Sequence, residues 1–494
     1  MDGSTLTCTV LRGIAEDGAR VRISPAALAR VADSHATALA VAAGRPVYGR
    51  TTGVGANRAV AVTDPDAGMR LLRSHAAGAS PLLAPTVARA MVAVRLNQLA
   101  AGGSGVAPAT LTALADALNR GLAPTAYAMG GIGTGDLTAL ACTALCLLGE
   151  LPWRGGDLPP VAFDPADALG FLSSNAATIG EAGLACVELR DLLDASTVVT
   201  ALSFAAAQGN LEAYDPAVHR SPVRSGRRAV AAQLHALLAD GAGTPARIQD
   251  PFGFRAAPQV HGPALDASKA LECTVTDEMN AAHENPLVVD GRVLHNGNFH
   301  TAALGLALDA ARAALYQTAA LSVSRTAALM EPSITGLRPF LAGGPPGSSG
   351  VLILEYVTRS ALAQLRHEAT PAALDTAVLS RGAEDHAPFS TQSARNTTRA
   401  LAPYRTILAA ELVTAVRALR LRGVALGPGP LREAFDLAAL LPAGTCDRRL
   451  DTDLAQAAGM LARTPERSEG PFLADLPACA IDSRHAGVPA HRAV

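Results

Sequence analysis

From residue 180 onward the sequence is dominated by six long apolar segments, at 180–210, 226–240, 263–283, 299–330, 348–368 and 398–423. Apolar residues recur through them on helical spacing, as in Leu304, Leu306, Leu308, Ala311 and Leu315. A long helix with an apolar face cannot bury that face alone, so such segments must pack together as a bundle. Composition agrees: 49% of residues are hydrophobic but only 3% aromatic, and a chain rich in Ala, Leu and Arg favours helix. The 494 residues suffice for one large core or two to three smaller domains. The expected fold is mainly α. A smaller N-terminal part covers 1–200, a long central helical bundle with C-terminal helices covers 201–480, and a frayed tail covers 481–494.

The first part reads as shorter elements. Thr7-Cys8-Thr9-Val10 and Val21-Arg22-Ile23 are candidate strands. Ser24-Pro25 opens a helix, with proline at its first position. A Gly/Thr-rich loop runs from Pro46 to Asn57, and helical patterns follow at 65–77, 86–101, 107–120 and 136–149. Loops at 243–260, 284–298 and 370–397 hold most of the Asn, Gln, His and acidic residues of the second half. Chemistry on loops carried by a rigid helical scaffold is the expected arrangement.

Several function classes are excluded. The net charge is −2, Lys269 is the sole lysine, and no basic patch is visible, so nucleic acid is not an expected partner. Seven scattered cysteines give no disulfide framework and fit a reducing cytoplasm. Cys142 and Cys146 share a helix face without a nearby His or acid, so they read as buried small hydrophobes and no metal is expected. The start, Met1-Asp2-Gly3-Ser4, lacks the basic and apolar regions of a signal peptide. No apolar run is long enough to span a membrane.

The densest glycine run, Gly130-Gly131-Ile132-Gly133-Thr134-Gly135-Asp136, leads straight into an apolar helical segment. Glycines let the backbone fold back where a side chain would clash. Asp136 is expected as N-cap or first-turn acid of the helix that follows. Taken alone, the run is a Gly-rich helix entry. Further polar clusters lie at Tyr48–Gly55, Arg73-Ser74-His75, Ser173-Ser174-Asn175 and Gln249–Arg255. A sixth, beyond the glycine run and these four, is split between Asn296-Gly297-Asn298-Phe299-His300 and Ala383-Glu384-Asp385-His386. Each has a structural explanation by itself: Tyr48 as a core tyrosine, His75 as a packed helix histidine, Arg255 as an ion-pair partner, Glu384 as a helix-start acid.

In this order and spacing, the clusters resemble the histidine and phenylalanine/tyrosine ammonia-lyases and their aminomutase relatives. The resemblance extends over roughly residues 20–425, and includes Asn119–Pro124, Gly336-Leu337 and His283-Glu284-Asn285-Pro286-Leu287. It implies the fumarase/aspartase-like ammonia-lyase architecture, a small-molecule amino-acid substrate and a homotetramer with active sites shared among subunits. Residues at the positions of Gly133, Thr134 and Gly135 normally read Ala-Ser-Gly. They cyclise with loss of water to a methylidene-imidazolone, an electrophile that adds the substrate amine. No metal or dissociable cofactor is implied. Tyr48 falls on the general base and Arg255 on the clamp for the substrate carboxylate. Asn175 and Gln249 fall on hydrogen-bonding groups around the imidazolone and substrate, and Phe299, next to Asn298, on a wall of the prosthetic-group pocket. His75 and Glu384 fall where the family reads the substrate side chain, and both are similar to the histidine-specific members. A carboxylate facing an imidazole can accept its N–H or balance its charge.

The sequence also departs from the family pattern. Gly133 replaces the usual alanine, Thr134 the serine, and Phe252 a second active-site tyrosine. Arg50-Thr51 stand for Val-Asn, Glu355 for a glutamine, and the run Asp385-His386-Ala387-Pro388-Phe389 differs where Val-Ser-Met is usual. Dehydrated threonine carries an extra methyl at the electrophilic carbon, and its β-branch restricts the rotamers available for cyclisation. Three readings follow. The first is a lyase or aminomutase, acting on an imidazole-bearing or cationic amino acid, with an imidazolone from Gly133-Thr134-Gly135. The second is an enzyme with no prosthetic group that uses Tyr48, Arg255 and Glu384 for another elimination, addition or cyclisation. The third is a catalytically silent binding partner. The departures lean towards specialised metabolism.

Overall fold

The computed structural model of the protein describes residues 1–220, 225–239, 243–423 and 426–462. Cys479 and the expected tail at 481–494 lie outside them. Among the described residues helix dominates, and the strands form three two-stranded antiparallel pairs. Each of the six long apolar segments contains a helix, the longest being Ala176–Ala207, Ala302–Leu329 and Ser390–Arg422.

The chain forms two compact units that interleave along the sequence. The first comprises Met1–Leu189, Ala267–Ala313 and Glu368–Leu401. The second comprises Arg190–Asp266, Ala314–His367 and the described part of 402–494.

In the first unit the helices Cys8–Ala15, Pro25–Gly44 and Pro108–Asn119 pack on the helix Pro85–Ala100. That central helix is buried on every side from Ala90 to Ala100, including Arg95, Asn97 and Gln98. Polar groups so placed need internal partners, and these partners position the site. Arg95 donates to Glu284 at 2.8 Å and to the Phe171 carbonyl at 3.0 Å. Asn97 Nδ2 donates to the Met279 carbonyl at 3.0 Å, and Gln98 Oε1 accepts from Ser174 Oγ at 2.6 Å. The segments around residues 171–174 and 279–284 are thereby held to one rigid rod.

In the second unit, Glu411 is fully buried and accepts from Arg325 Nε at 2.6 Å and from Ser203 Oγ at 2.7 Å. Arg325 Nη1 also donates to the Gly253 carbonyl at 3.0 Å, and the Tyr214 hydroxyl donates to the Phe254 carbonyl at 2.7 Å. The short helix Phe252–Arg255 is pinned by these bonds.

Two expected strands are absent. Thr7 instead caps the helix Cys8–Ala15 by accepting from the Val10 N–H, and Cys8, Leu11, Ile14 and Ala15 bury one helical face. Val21-Arg22-Ile23 is irregular because Asn119 bonds both backbone groups of Val21, at 2.7 and 2.9 Å, in place of a neighbouring strand. Ser24 caps the helix Pro25–Gly44 as expected. The expected loop at 284–298 contains a hairpin, Leu287–Val289 with Arg292–Leu294. Cys142 and Cys146 are buried free thiols, and burial pushes the Cys146 thiol up to about 11.

Candidate active site

The first unit has an open cleft of about 1070 Å³. Tyr48, His75, Thr134, Gly135, Phe299 and Glu384 line it, with Ser173 and Ser174. The cleft thus gathers every cluster singled out in the sequence except Gln249–Arg255.

The glycine turn forms one wall. Gly133 has φ +91°, and a Cβ there would stand 2.3 Å from Ser390 Oγ and 2.7 Å from Pro388 Cγ. An alanine does not fit in this turn, for steric as well as backbone reasons. The Gly133 carbonyl accepts from Thr301 twice, from Oγ1 at 2.8 Å and from the backbone N–H at 3.2 Å. The Gly135 N–H donates to Asn175 Oδ1 at 2.8 Å, and Asn175 Nδ2 donates to the Phe299 carbonyl. Asn175 is buried and supports the turn from behind; it does not line the cleft.

Asp136 departs from expectation. It holds the N-cap position of the helix Leu137–Leu147, but its side chain makes no capping bond there. Its carboxylate accepts from the Thr178 N–H at 2.8 Å and Thr178 Oγ1 at 3.0 Å, in the first turn of the helix Ala176–Ala207. Asp136 therefore ties the glycine turn to a helix start remote in sequence. Burial pushes its carboxyl above the ordinary range.

The family's imidazolone closes by joining the third residue's nitrogen to the first residue's carbonyl carbon. The groups around this turn fit the open precursor of that ring. The Gly133 carbonyl has two donors, the Gly135 N–H has an acceptor, and Thr134 lines the cleft.

Tyr48 lies on a second loop that lines the cleft. Its hydroxyl oxygen accepts from the Gly55 N–H at 2.7 Å, and its own N–H donates to His295 Nε2 at 3.2 Å. Arg50 anchors the loop, with its guanidinium 2.7 Å from Asp167 and 3.1 Å from the Gly105 carbonyl. Gly55 has φ +56°, and a Cβ on it would meet Ser380 Oγ at 2.3 Å and Glu384 Oε1 at 3.8 Å. The Ala56 N–H also donates to Ser380 Oγ, at 2.9 Å. The Tyr48 and Glu384 loops therefore meet at Gly55. Ser380 and Arg381 both hold positive φ, of 52° and 57°. Such backbone strain persists only where surrounding contacts enforce it; here the Leu379 N–H to Glu384 carbonyl bond, at 2.7 Å, closes the loop.

His75 ends the helix Ala67–His75, with Nδ1 2.9 Å from the Leu71 carbonyl. A carbonyl only accepts, so Nδ1 carries the hydrogen and Nε2 of the neutral ring is an acceptor.

Some expected site residues are not brought to this cleft. Gln249, Phe252 and Arg255 belong to the second unit and none lines it. Phe252 is 67% exposed, with the Arg255 guanidinium 4.5 Å above its ring. Arg255 Nε donates to the Asp250 carbonyl at 2.9 Å. Asn298 is exposed and does not line the cleft; its carbonyl accepts from His283 Nδ1 at 2.8 Å. Sequence reasoning missed Thr301, Ser380, Asn285 and His295. Thr301 directly follows the Asn296–His300 run, and that adjacency was the only signal.

Among the described residues no helix is long and apolar enough to cross a membrane, and no group of three or more His, Cys, Asp or Glu is placed to hold a metal. Comparison with known proteins shows the family. The family profile described as aromatic amino acid lyase matches residues 6–439. Histidine ammonia-lyase from Geobacillus thermodenitrificans is 32% identical over 480 residues, covering 92% of this chain and 95% of its own. Tyrosine aminomutase from Streptomyces globisporus superposes with a TM-score of 0.86 at 28% identity, covering 96% of this chain and 97% of its own. The ergothioneine-degrading ergothionase of Treponema denticola gives 0.86 at 25% identity, covering 93% and 97%. A match over nearly the whole length makes this chain a lyase of the aromatic amino acid lyase family.

Proposed function

We propose that the protein eliminates or shifts the amino group of an imidazole-bearing amino acid, as an ammonia-lyase or aminomutase. The observation that carries this reading is the convergence of Tyr48, His75, Glu384 and Thr134 on one cleft. The Gly55 N–H fixes the Tyr48 oxygen, leaving it directed for removal of a proton at the substrate β-carbon. Glu384 accepts the N–H of a substrate imidazole, and His75 Nε2 offers a second acceptor to a donor on the substrate. Thr301 and Asn175 would hold the open Gly133-Thr134-Gly135 turn for closure, and the imidazolone formed from it would supply an electrophile that turns the amine into a better leaving group.

Arg255 and Gln249 come to the site from a second copy of the chain, within a homotetramer. Their absence from the cleft lining of a single chain supports this. Arg255 binds the substrate carboxylate and Gln249 hydrogen-bonds beside it, which orients the β-carbon towards Tyr48. None of the six described cysteines forms a disulfide, which suits a cytoplasmic enzyme.

Thr134 favours a second reading, in which the same Tyr48, Arg255 and Glu384 act without a prosthetic group. Ammonia release from histidine, phenylalanine and tyrosine tests the substrate assignment. Tyr48→Phe abolishes turnover. Glu384→Gln lowers the rate on histidine by about ten-fold or more while changing phenylalanine little. Equal losses on both substrates reject the imidazole assignment, and full activity of Tyr48→Phe rejects Tyr48 as the base.

A further inference from the structure

The Gly133 carbonyl sits in a buried chain of hydroxyl groups that the elimination reaction does not use. Thr301 is 1% exposed and Ser390 is fully buried. Thr301 immediately precedes the helix Ala302–Leu329, and Ser390 begins the helix Ser390–Arg422. Thr301 Oγ1 lies 2.8 Å from the Gly133 oxygen and 2.6 Å from Ser390 Oγ. The carbonyl can only accept, so the single hydroxyl hydrogen of Thr301 goes to Gly133. The hydrogen between the two hydroxyls must then belong to Ser390. The direction is fixed: Ser390 donates to Thr301, and Thr301 donates to Gly133. The Thr301 N–H supplies a second donor at 3.2 Å to the same oxygen. Both residues stand at helix N-termini, where the peptide dipoles favour negative charge.

An amide carbonyl is a poor electrophile. Two donors from the buried Thr301 stabilise the negative charge that develops on its oxygen under attack. The attacking atom is at hand, because the Gly135 N–H is already polarised by Asn175 Oδ1 at 2.8 Å.

We propose that Thr301, backed by Ser390, drives closure of the Gly133-Thr134-Gly135 ring by polarising the Gly133 carbonyl and protonating its oxygen as that oxygen departs. This rests on the imidazolone-bearing form of the proposed function. The Gly135 nitrogen bonds to the Gly133 carbonyl carbon, and the carbon–oxygen bond breaks. The oxygen leaves as one water, which on balance carries off the amide hydrogens of Gly135 and Thr134, and the two hydroxyls regain their starting protons. A second water then leaves from Thr134, made of its hydroxyl and its Cα hydrogen, and a Cα–Cβ double bond forms. Neither step needs an oxidant or reductant. The hydroxyl pair also gives Thr134, whose β-branch resists compression, more assistance than a bare turn would.

Intact-mass spectrometry and near-ultraviolet absorbance of the purified full chain test this, with ammonia release from histidine measured in parallel. Wild-type protein is expected two waters below its translated mass, with a near-ultraviolet band. Thr301→Val keeps the backbone donor and the side-chain shape but removes the hydroxyl. It is expected to close about a hundred-fold more slowly and so to keep the translated mass. Thr301→Ser is expected to mature like wild type. Ser390→Ala retains the direct donor and is expected to give a mixture of masses after short expression, so the proposal stays testable if Thr301→Val fails to fold. Thr301→Val with the wild-type mass overturns the proposal. So does Ser390→Ala maturing at the wild-type rate, and so does a wild-type protein at its translated mass. In that last case, ammonia release from histidine leaves the assigned function standing. A closed ring without such activity rejects the assigned function and not the maturation route.

Discussion

Arg50 carries a charge whose burial decides where Tyr48 sits. Its side chain is 9% exposed and that of its partner Asp167 only 1%. Burial pushes the Asp167 carboxyl up on balance, and the charge of Arg50 offsets only part of that rise. Removing one member of a buried pair leaves the other uncompensated, which costs about 3–5 kcal/mol. Arg50→Met should therefore destabilise the protein by that order in denaturant unfolding. At temperatures where it remains folded, kcat should fall more than KM changes, because the loop bearing the base is loosened. Unchanged stability would show that the pair contributes nothing. In the sequence Arg50 is visible only as a departure from the family pattern. Asp167 lies 117 residues away, and nothing local connects the two. Gly133 and Pro388 teach the same lesson. They read as two separate departures, yet a methyl on Gly133 would collide with the Pro388 ring and Ser390. They form one contact. Gly133→Ala should destabilise, and adding Pro388→Ala should recover part of the loss, with a coupling of about 0.5–3 kcal/mol in a double-mutant cycle. Strict additivity would separate them.

Among elements, length decided what the sequence made visible. The long apolar segments repeat their pattern over many turns, so their helices stand out. At Thr7–Val10 four residues look alternating, and only the buried face through Ala15 shows a helix. The hairpin at Leu287–Leu294 has three residues per strand, too few for a period to register. Titration inside a long helix is not legible either. In the helix Ala176–Ala207, burial and then the nearby charge of Asp191 push the Asp194 carboxyl up to about 6 from its ordinary 3.8. Between those values the native state holds more protons than the unfolded chain, so stability falls as pH rises through this window. Above it the full penalty remains. Asp194→Asn removes the charge and should stabilise the protein at pH 7 by on the order of 1–3 kcal/mol. Below the ordinary carboxyl value the gain should vanish, since the wild-type side chain is then neutral in both states. Thermal melts at acidic and neutral pH distinguish the two regimes; an equal gain at both would mean that charge burial is not the cause.

At the scale of the whole molecule, the six clusters seen in the sequence divide unevenly. Those around Tyr48, His75, the glycine turn, Ser173–Asn175 and the Phe299/Glu384 pair belong to one unit, while Gln249–Arg255 belongs to the other. Motif order along a chain does not say which unit a cluster folds into, and only the family resemblance implied that sites are shared. The Gln249–Arg255 segment is firmly held within its own unit. Gly253 and Phe254 are tied to the buried Arg325–Glu411 pair and Tyr214, while Arg255 holds its guanidinium over an exposed Phe252 ring. A rigid segment carrying a half-buried cation beside an exposed aromatic suits completion of a neighbour's cleft. Sharing of this kind has a measurable signature. Tyr48→Phe and Arg255→Ala homo-oligomers should each be inactive. If sites are shared as proposed, each cleft of the co-expressed variants draws Tyr48 from one chain and Arg255 from another. With random assortment, roughly a quarter of sites should then receive both intact residues. Recovery of ammonia release to about that fraction of wild type supports shared sites. Were both residues of a site supplied by the same chain, every site would lack one of them whatever the mixture, and the co-expressed protein would stay inactive.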